Sequence, residues 1–374
     1  MEDIPSVLTD RFADLLARLP GDLDLDVLAR TTGAIERPRD LRRGVDLFRL
    51  GLAWGPGGFS LQAVAAWANT LGIVRMTDEA LIYRLHKAVP FFEAITAALL
   101  ARASGVASAP GRWPGRVFRI ADSSSLSGPA SKGTDWRIHA VFDLSRGGFS
   151  DLVLTDGHGG EALDRGAPVA GEVRIADRGY ANAASWERFF EAAEGQADVI
   201  VRMRWNTVRL RDRNGEVFDL IAWLNGLPAT TTVHETLAWA QSGGTKKPKL
   251  RQIRLVVRRK PDEAIAAAHR HIRQHASRKQ SVPDPRSLVA AEFVILATSL
   301  SPEEFSAEEI LGIYRLRWQI ELAFKRLKSL LKIDKIRTRT DAGTRCWLHA
   351  HLIMALLCDD VSQEFLESFP SGPG

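Results

Sequence analysis

The sequence predicts an α/β protein, in which a mixed β-sheet flanked by helices follows an all-helical segment and is interrupted by a β-rich insertion. Residues 1–105 read as helical throughout. After them come three short β-like runs in antiparallel succession, and then strands that alternate with helices. At 374 residues the chain is long enough for two or three domains with cores of their own.

The helical segment, residues 1–105, is predicted to be an N-terminal DNA-binding domain. Its stretch "SLQAVAAWANTLGIVRMTDEALIYRLHKA" contains two helices with apolar periodicity, joined by a turn at Gly72. Thr77 is predicted to cap the second helix. This arrangement resembles a helix-turn-helix, whose second helix enters a DNA groove, and plain packing of a helical hairpin is the alternative. The segment 103–115, rich in Pro, Gly and small residues, is predicted to be a linker.

Residues 106–204 are predicted to form the first part of the sheet. The tetrapeptide "RIAD" occurs twice there, and each copy is predicted to end a strand, at Asp122 and at Asp177. If the two strands are neighbours, the carboxylates meet, and two carboxylates at close range repel each other unless a cation lies between them. Mg²⁺ prefers carboxylate oxygens together with water and phosphate. Taken singly, each aspartate is read as a turn or helix-cap residue.

The predicted insertion, residues 205–300, is basic. Residues 195–280 hold 17 Lys and Arg against 7 Asp and Glu, whereas the whole chain has a formal net charge of +5. Such a surface suits a nucleic-acid backbone, because Lys and Arg bind phosphates by releasing counterions. Its predicted DNA contacts are Lys246, Lys247, Arg258 and Arg259. A well-solvated charged sheet is the alternative.

Residues 301–374 are predicted to complete the core with helices. Ser306 and Glu309 form the pattern of a capping box, which predicts one helix from there to about Lys332. On a single helix, four polar residues of mixed charge fall within an arc of roughly 60°, beside an apolar stripe. These are Tyr314, Arg317, Glu321 and Lys328.

Mixed charge along a buried face suits metal-assisted phosphoryl transfer. Glu321 would join Asp122 and Asp177 as an oxygen ligand of the metal. Tyr314, Arg317 and Lys328 would donate to phosphates beside the metal. Ordinary salt-bridged surface positions are the alternative.

The motif Tyr-x2-Arg-x3-Glu-x6-Lys within "YRLRWQIELAFKRLK" is similar to the YREK signature of bacterial cut-and-paste DDE transposases of the insertion-sequence-4 type. "ADRGY" at 176–180 resembles the second-aspartate motif of that family. "ADSSSL" at 121–126 resembles the first, with Ser123 and Ser124 where the family commonly has Gly and Thr. The resemblance covers about residues 40–360.

The resemblance implies a ribonuclease-H-like catalytic core with a β-rich insertion domain. It implies that Asp122, Asp177 and Glu321 are the catalytic acids and metal ligands, and that the cofactor is Mg²⁺ or Mn²⁺ as two ions. The substrates would be double-stranded DNA, namely the terminal repeats of the element and the target, and the enzyme would assemble as a homodimer on the DNA ends. In relatives a Trp of the insertion stacks on a flipped base, and the candidates here are Trp205, Trp223 and Trp239.

Three further expectations complete the sequence-based interpretation. The polar, acidic N-terminus and the lack of an 18-residue apolar run predict a cytoplasmic, nucleoid-associated protein without a membrane segment. His139 and Glu161 lie near the motifs and are predicted to have structural roles in a strand and a loop, with assistance to the catalytic residues as the alternative. The alternative functions are a catalytically silent, transposase-derived DNA-binding regulator and a different ribonuclease-H-like DNA nuclease.

Overall fold

The computed structural model describes residues 12–38, 40–105, 113–230, 232–243 and 248–367. Within these residues six helices precede the sheet, and their side chains Phe48, Phe91 and Phe92 are fully buried. The helices are α1 Phe12–Leu16, α2 Leu25–Thr31, α3 Gly44–Trp54, α4 Leu61–Thr70, α5 Asp78–Lys87 and α6 Val89–Gly105. The helical character predicted for the N-terminal segment is therefore confirmed for its described residues.

Helices α4 and α5 form the predicted pair. Gly72, between them, has a φ of +67°, a left-handed conformation that costs glycine little. The Thr77 hydroxyl accepts a hydrogen bond from the Ala80 amide at 3.2 Å and so caps α5. His86 on α5 lies 2.9 Å from the Thr340 hydroxyl near the C-terminal end of the chain. Entry of α5 into a DNA groove stays a prediction.

A single nine-stranded mixed sheet forms the centre of the molecule, in the order β3-β2-β1-β4-β5-β9-β8-β7-β6. The strands are β1 Val117–Leu126, β2 Trp136–Asp143, β3 Gly148–Asp156, β4 Glu172–Ala176, β5 Asp198–Arg202, β6 Arg209–Arg211, β7 Val233–Ser242, β8 Lys249–Arg259 and β9 Phe293–Thr298. Strands β1 to β3 are antiparallel, whereas β4 runs parallel to β1 and β5 runs parallel to β4. This order of β1 to β5 confirms the predicted ribonuclease-H-like mixed sheet.

The strands of the predicted insertion continue the same sheet. Strand β9 pairs antiparallel with β5 on one side and with β8 on the other, so β6 to β8 extend the core sheet edge to edge. Helices α8 Leu220–Asn225, α9 Asp262–Arg278 and α10 Pro285–Ala291 also belong to this part of the chain. The limits of the four domains stay a prediction, and most of the predicted linker lies outside the described residues.

Both faces of the sheet are covered, as expected for strands buried on both sides. Ile120 and Ile175 pack with the N-terminal and C-terminal helices, whereas the adjacent Ala121 and Ala176 face α7 Ala183–Ala192 on the opposite side. None of the helices in the described part of the chain is both long and apolar enough to cross a bilayer.

Strand β1 is longer than predicted. It does not end at Asp122, because its pairing with β2 continues from Asp122 opposite Ala140 to Leu126 opposite Trp136. Its pairing with β4, by contrast, stops at Ala121 opposite Ala176. Asp122 therefore marks the end of one ladder and not the end of the strand.

The predicted single helix from Ser306 to Lys332 is wrong. The capping box at Ser306 is present, but the helix is divided into α11 Ala307–Arg315 and α12 Trp318–Ser329. The amide of Leu316 bonds to the Ile313 carbonyl and that of Arg317 to the Tyr314 carbonyl, at 2.9 and 3.1 Å. These three-residue bonds tighten the backbone into a 3₁₀-like turn. Helix α13, Asp341–Glu367, follows and packs against α6.

Candidate active site

The two predicted aspartates are neighbours at the edge where β1 and β4 separate. Because Ala121 and Ala176 are paired in parallel register, the residues that follow them, Asp122 and Asp177, leave the ladder side by side. Burial raises the pKa of Asp122 to about 6, and the negative charges of Asp177 and Glu161 act in the same direction. The structure thus brings together the carboxylates that the repeated "RIAD" motif indicated.

The backbone beyond Asp177 turns sharply. Its carboxylate accepts a hydrogen bond from the Gly179 amide at 2.7 Å and caps the short 3₁₀ turn Arg178–Tyr180. The Asp122 carboxylate accepts from the amide of Ser123 at 2.8 Å. Each aspartate is therefore held through one carboxylate oxygen by the backbone that follows it.

Helix α12 brings Glu321 to the same place. Arg317 joins the acids, because its guanidinium forms an ion pair with Glu321 and lies 3.8 Å from Asp122. Asp122, Ser123 and Glu321 line an open cleft of about 720 Å³. Four lysines line the same cleft, namely Lys325, Lys328, Lys332 and Lys335. Lys328 was expected there, whereas the other three were not singled out from the sequence.

The oxygen-only ligand set suits Mg²⁺ or Mn²⁺. Asp122 and Asp177 fit such an ion, because two carboxylates beside each other in a half-buried position have unbalanced negative charge. Among the described residues, no three acid, His or Cys side chains are close enough together to hold a metal. Glu321 would complete the set only after exchanging its contact with Arg317 for the ion.

The predicted phosphate contacts of the insertion have different positions. Lys246 and Lys247 lie outside the described residues. Arg258 is paired with Glu308, and Arg259 with both Asp262 and Glu292. A role on DNA stays a prediction for all four.

A second basic site was not identified from the sequence. A cavity of about 640 Å³ lies between the Asp177 turn and the insertion, and besides Lys279 four cations line it: Arg178, Arg202, Arg204 and Lys260. We call this space the basic cavity. Its four cations Arg178, Arg202, Arg204 and Lys260 form no ion pair within the described ranges. The pKa of Lys260 is lowered by burial and by the charges of Arg202 and Arg178. The signal in the sequence was the run "VRMRW" at the end of β5 and the Arg that directly follows Asp177.

Tyr314 connects the basic cavity with the cleft. Its hydroxyl is buried, which raises its pKa, and the charges of Arg317 and Arg202 oppose that effect. Burial lowers the pKa of Arg178, and the charges of Asp177 and Tyr314 oppose that effect. The charges of the acid cluster and of the basic cavity therefore both act on Tyr314 and Arg178.

The three candidate tryptophans occupy different surroundings. Trp205 lines the basic cavity, where its indole nitrogen donates to the Ser287 hydroxyl at 3.1 Å and Arg286 lies 4.3 Å from its ring. Trp223 packs against Phe218 with ring centres 6.2 Å apart. Trp239 is half-buried on β7. His139, on β2, is buried beside the Thr155 hydroxyl at 3.0 Å, and burial lowers its pKa to about 4, so it is neutral near pH 7.

Comparisons with known proteins identify the family of the chain. Residues 113–357 match the transposase DDE domain family. The putative transposase InsL for insertion sequence element IS186A of Escherichia coli (strain K12) is 38% identical over 365 residues, 98% of this chain and 97% of the relative. The transposase for insertion sequence element IS421 of Escherichia coli is 37% identical over 366 residues, with the same coverage.

Among solved structures, a piggyBac transposase synaptic complex with hairpin DNA is similar with a TM-score of 0.44 and 8% identity, over 94% of this chain and 74% of that chain. The family match covers more than half of the chain, and the Escherichia coli relatives match it along nearly its whole length. The chain therefore belongs to the transposases with a DDE domain.

Proposed function

We propose that this transposase is of the insertion-sequence-4 type, and that it cleaves the ends of an insertion sequence and joins them to target DNA by metal-dependent phosphoryl transfer. One observation carries the proposal. Asp122 and Asp177 lie side by side where β1 and β4 separate, Glu321 and Lys328 line one cleft with Asp122, and Arg317 lies between Glu321 and Asp122.

Asp122, Asp177 and Glu321 would hold Mg²⁺ or Mn²⁺, as two ions. When bound, such ions supply Lewis-acid activation of water and neutralise charge on the scissile phosphate. The carboxylates remain ionised as ligands, so no side chain has to act as a general base. The raised pKa of Asp122 supports this role, because a neighbouring cation would stabilise the ionised form that burial disfavours.

The cations of the cleft would position the DNA strand. Arg317 already bridges two of the acids, and its planar fork matches the geometry of a phosphate once Glu321 is released. Lys328, which lines the cleft, would attract a phosphate as a point charge. Tyr314, in the field of Arg317 and Arg202, would donate its hydroxyl proton to a phosphate oxygen.

The basic cavity would bind the DNA backbone beyond the cleft. Four cations without carboxylate partners are costly to hold together, and phosphate is the anion that a DNA substrate brings. Because the cavity adjoins Asp177 through Arg178, a duplex end bound there would extend into the cleft. Both the terminal repeats and the target would be double-stranded DNA, with a homodimer assembled on the two ends.

The test is strand cleavage by the purified chain. DNA that carries the element's own ends would be incubated with the parent, Asp177→Asn or Glu321→Gln, in Mg²⁺, in Mn²⁺ or with chelator. The parent should cleave only with metal, and both variants should bind the ends but leave them intact. Glu303→Gln, an exposed acid outside the cleft, is the matched control and should cleave normally. Cleavage by both acid variants would refute the assignment, and binding without cleavage by the parent would indicate a DNA-binding regulator.

A further inference from the structure

The loop 157–171 between β3 and β4 has no regular structure but is firmly held. Arg174, fully buried, forms an ion pair with the equally buried Glu172 and donates to backbone carbonyls of the loop. Its guanidinium contacts the carbonyl oxygens of Leu163, Arg165 and Gly166 at 2.7, 3.2 and 3.0 Å. Burying a charge is costly unless such bonds satisfy it, so this arrangement fixes the course of the loop.

The loop presents Glu161 to the segments that carry both aspartates. One carboxylate oxygen of Glu161 accepts from the Ser123 hydroxyl at 2.7 Å, next to Asp122. The same oxygen lies 3.3 Å from Arg137, which also donates to Ser123 at 3.2 Å. The other oxygen lies against Gly179, two residues after Asp177. A Cβ atom built on Gly179 would be only 1.6 Å from it.

This contact occurs where the backbone stops holding the strands together. The ladder between β1 and β4 ends at Ala121 and Ala176, immediately before the two aspartates. Beyond that point β1 continues against β2, whereas the chain after Asp177 turns away. Glu161 spans the gap that opens between them, with one oxygen on each side.

We propose that Glu161 is a positioning residue, which fixes Asp122 and Asp177 at the separation that a divalent cation requires. This inference rests on the proposed function, because it assumes that the two aspartates are metal ligands. Glu161 acts through its hydrogen bond to Ser123 and its contact with the Gly179 backbone. Groups that orient metal ligands commonly change metal affinity by about 10- to 100-fold when they are removed.

Gly179 is part of the same arrangement. Its backbone is not in the left-handed region, so the requirement for glycine is steric and not conformational. Any side chain there would displace the Glu161 carboxylate, since no atom can approach to 1.6 Å. Gly179→Ala is therefore a second way to remove the same contact, and its Cβ would lie a further 3.2 Å from Asp177 Oδ1, a much milder approach than that to Glu161.

The experiment measures Mn²⁺ binding to the full chain by electron paramagnetic resonance, which reports free Mn²⁺ and does not depend on cleavage. Glu161→Ala should weaken Mn²⁺ binding about tenfold. Glu161→Gln, whose amide oxygen still accepts from Ser123, should lose clearly less. Glu216→Gln, an exposed acid in a distant turn, is the control and should bind like the parent. Unchanged binding in Glu161→Ala, or an equal loss in Glu161→Gln, would overturn the positioning role.

A double-mutant comparison keeps the test decisive if one variant folds poorly. Gly179→Ala should weaken Mn²⁺ binding by itself, but should have little further effect in the Glu161→Ala background, where the colliding carboxylate is absent. Additive losses would contradict the proposal. DNA cleavage by the parent, measured separately, shows whether the transposase function holds, and the Mn²⁺ comparison then decides on Glu161. If the parent neither binds Mn²⁺ nor cleaves DNA, both the proposed transposase function and the positioning role of Glu161 are refuted.

Discussion

Strand β8 and the basic cavity are both rich in arginine, but they use it differently. On β8, Arg251 is paired with Glu187, Arg254 with Glu235 and Arg258 with Glu308. In the basic cavity, Arg178, Arg202, Arg204 and Lys260 converge without a carboxylate partner among the described residues. Asp284, which also lines the cavity, is paired with Arg286.

The difference shows that the charge of a segment does not tell whether that charge is available. The cations of β8 are balanced within the fold and stabilise it. Those of the basic cavity are balanced only when an anion arrives from outside. Asp122 is the acidic counterpart, because burial and the negative charges of Asp177 and Glu161 raise its pKa, although Arg317 lies nearby. Unbalanced charge, and not local net charge, marks the site.

The largest expected effect tests the basic cavity directly. Replacing Arg178, Arg202, Arg204 and Lys260 with Gln should lower the salt dependence of DNA binding by about 0.9 per lost phosphate contact in the log–log slope, or about 3.6 in all. At 0.1 M salt this corresponds to roughly a thousandfold weaker binding. Titration of a labelled duplex at several salt concentrations measures both quantities.

The matched control replaces Arg251, Arg258 and Arg259 with Gln. The sequence predicts DNA contacts for Arg258 and Arg259, but all three arginines are paired with carboxylates in the fold. We therefore expect few counterions to be released there and little change in the salt slope, against that sequence-based prediction. An equal loss of slope in the two sets would end the distinction between balanced and unbalanced cations.

Arg254 tests whether the paired cations of β8 contribute to stability and not to DNA binding. Its buried guanidinium is paired with Glu235 and donates to the Phe305 carbonyl at 2.6 Å. Arg254→Met should lower the free energy of unfolding by about 3 kcal/mol, because a buried carbonyl and a carboxylate lose their partner. DNA affinity of the folded fraction should stay at the parental value. Urea unfolding and duplex binding on the same preparation check both statements, and a binding loss at unchanged stability would contradict them.

Much of the fold follows from local sequence signals. The antiparallel strands β1 to β3 and the capping box at Ser306 each depend on residues close together in the chain, and all are present. The end of β1 was misplaced because Asp122 to Leu126 gains its pairing from β2, a contact that no local pattern encodes. The break at Leu316 was missed for a similar reason, since neither Pro nor Gly marks it.

The candidate site divides along the same line. The repeated "RIAD" motif predicts that Asp122 and Asp177 meet, because parallel strands bring matching positions together. The spacing of Glu321 and Lys328 places both on one wall of the cleft. The basic cavity and the position of Glu161 depend on how distant segments meet, and the pairing of Arg258 with Glu308 joins residues 50 apart. Charge counts along the sequence carry no information on such partners.

Asp122 gives a pH-dependent test of unbalanced charge. The pKa of Asp122 is about 6 in the folded chain and ordinarily 3.8. Between pH 3.8 and pH 6 the folded state therefore keeps a proton on Asp122 that the unfolded state has lost. Stability should therefore fall as pH rises through this window, by about 3 kcal/mol in total for a shift of about two pH units. Asp122→Asn removes this titrating group. With chelator present, the free energy of unfolding of the variant should therefore rise by about that amount relative to the parent between pH 4 and pH 7.

Urea unfolding at four pH values measures the gain. Asp135→Asn is the control with a shift in the opposite direction, because hydrogen bonds lower the pKa of Asp135. The free energy of unfolding of this variant should therefore not rise relative to the parent as pH increases. A parent and an Asp122→Asn variant with parallel pH profiles would show that Asp122 is balanced within the fold after all.

The smallest expected effect distinguishes two cations of the cleft. Arg317 contacts Glu321 and approaches Asp122, whereas Lys328 lines the cleft and has no carboxylate partner in the described structure. A guanidinium can hold a phosphate by two parallel hydrogen bonds and an ammonium cannot, so Arg317→Lys should slow cleavage about tenfold while Lys328→Arg is largely tolerated. Neither change should weaken Mn²⁺ binding, because neither side chain is a proposed metal ligand.

The defect of Arg317→Lys should be larger for a complete double-strand break than for the first nick, since later steps require the strand end to be held in place. Nicking and double-strand cleavage, followed separately on one labelled substrate, measure this difference. Lys325→Arg, a lysine on the same wall of the cleft, is the matched control for the added guanidinium. Equal rates for Arg317→Lys and the parent in both steps would show that Arg317 only balances Glu321, and it would then belong with the paired cations of β8.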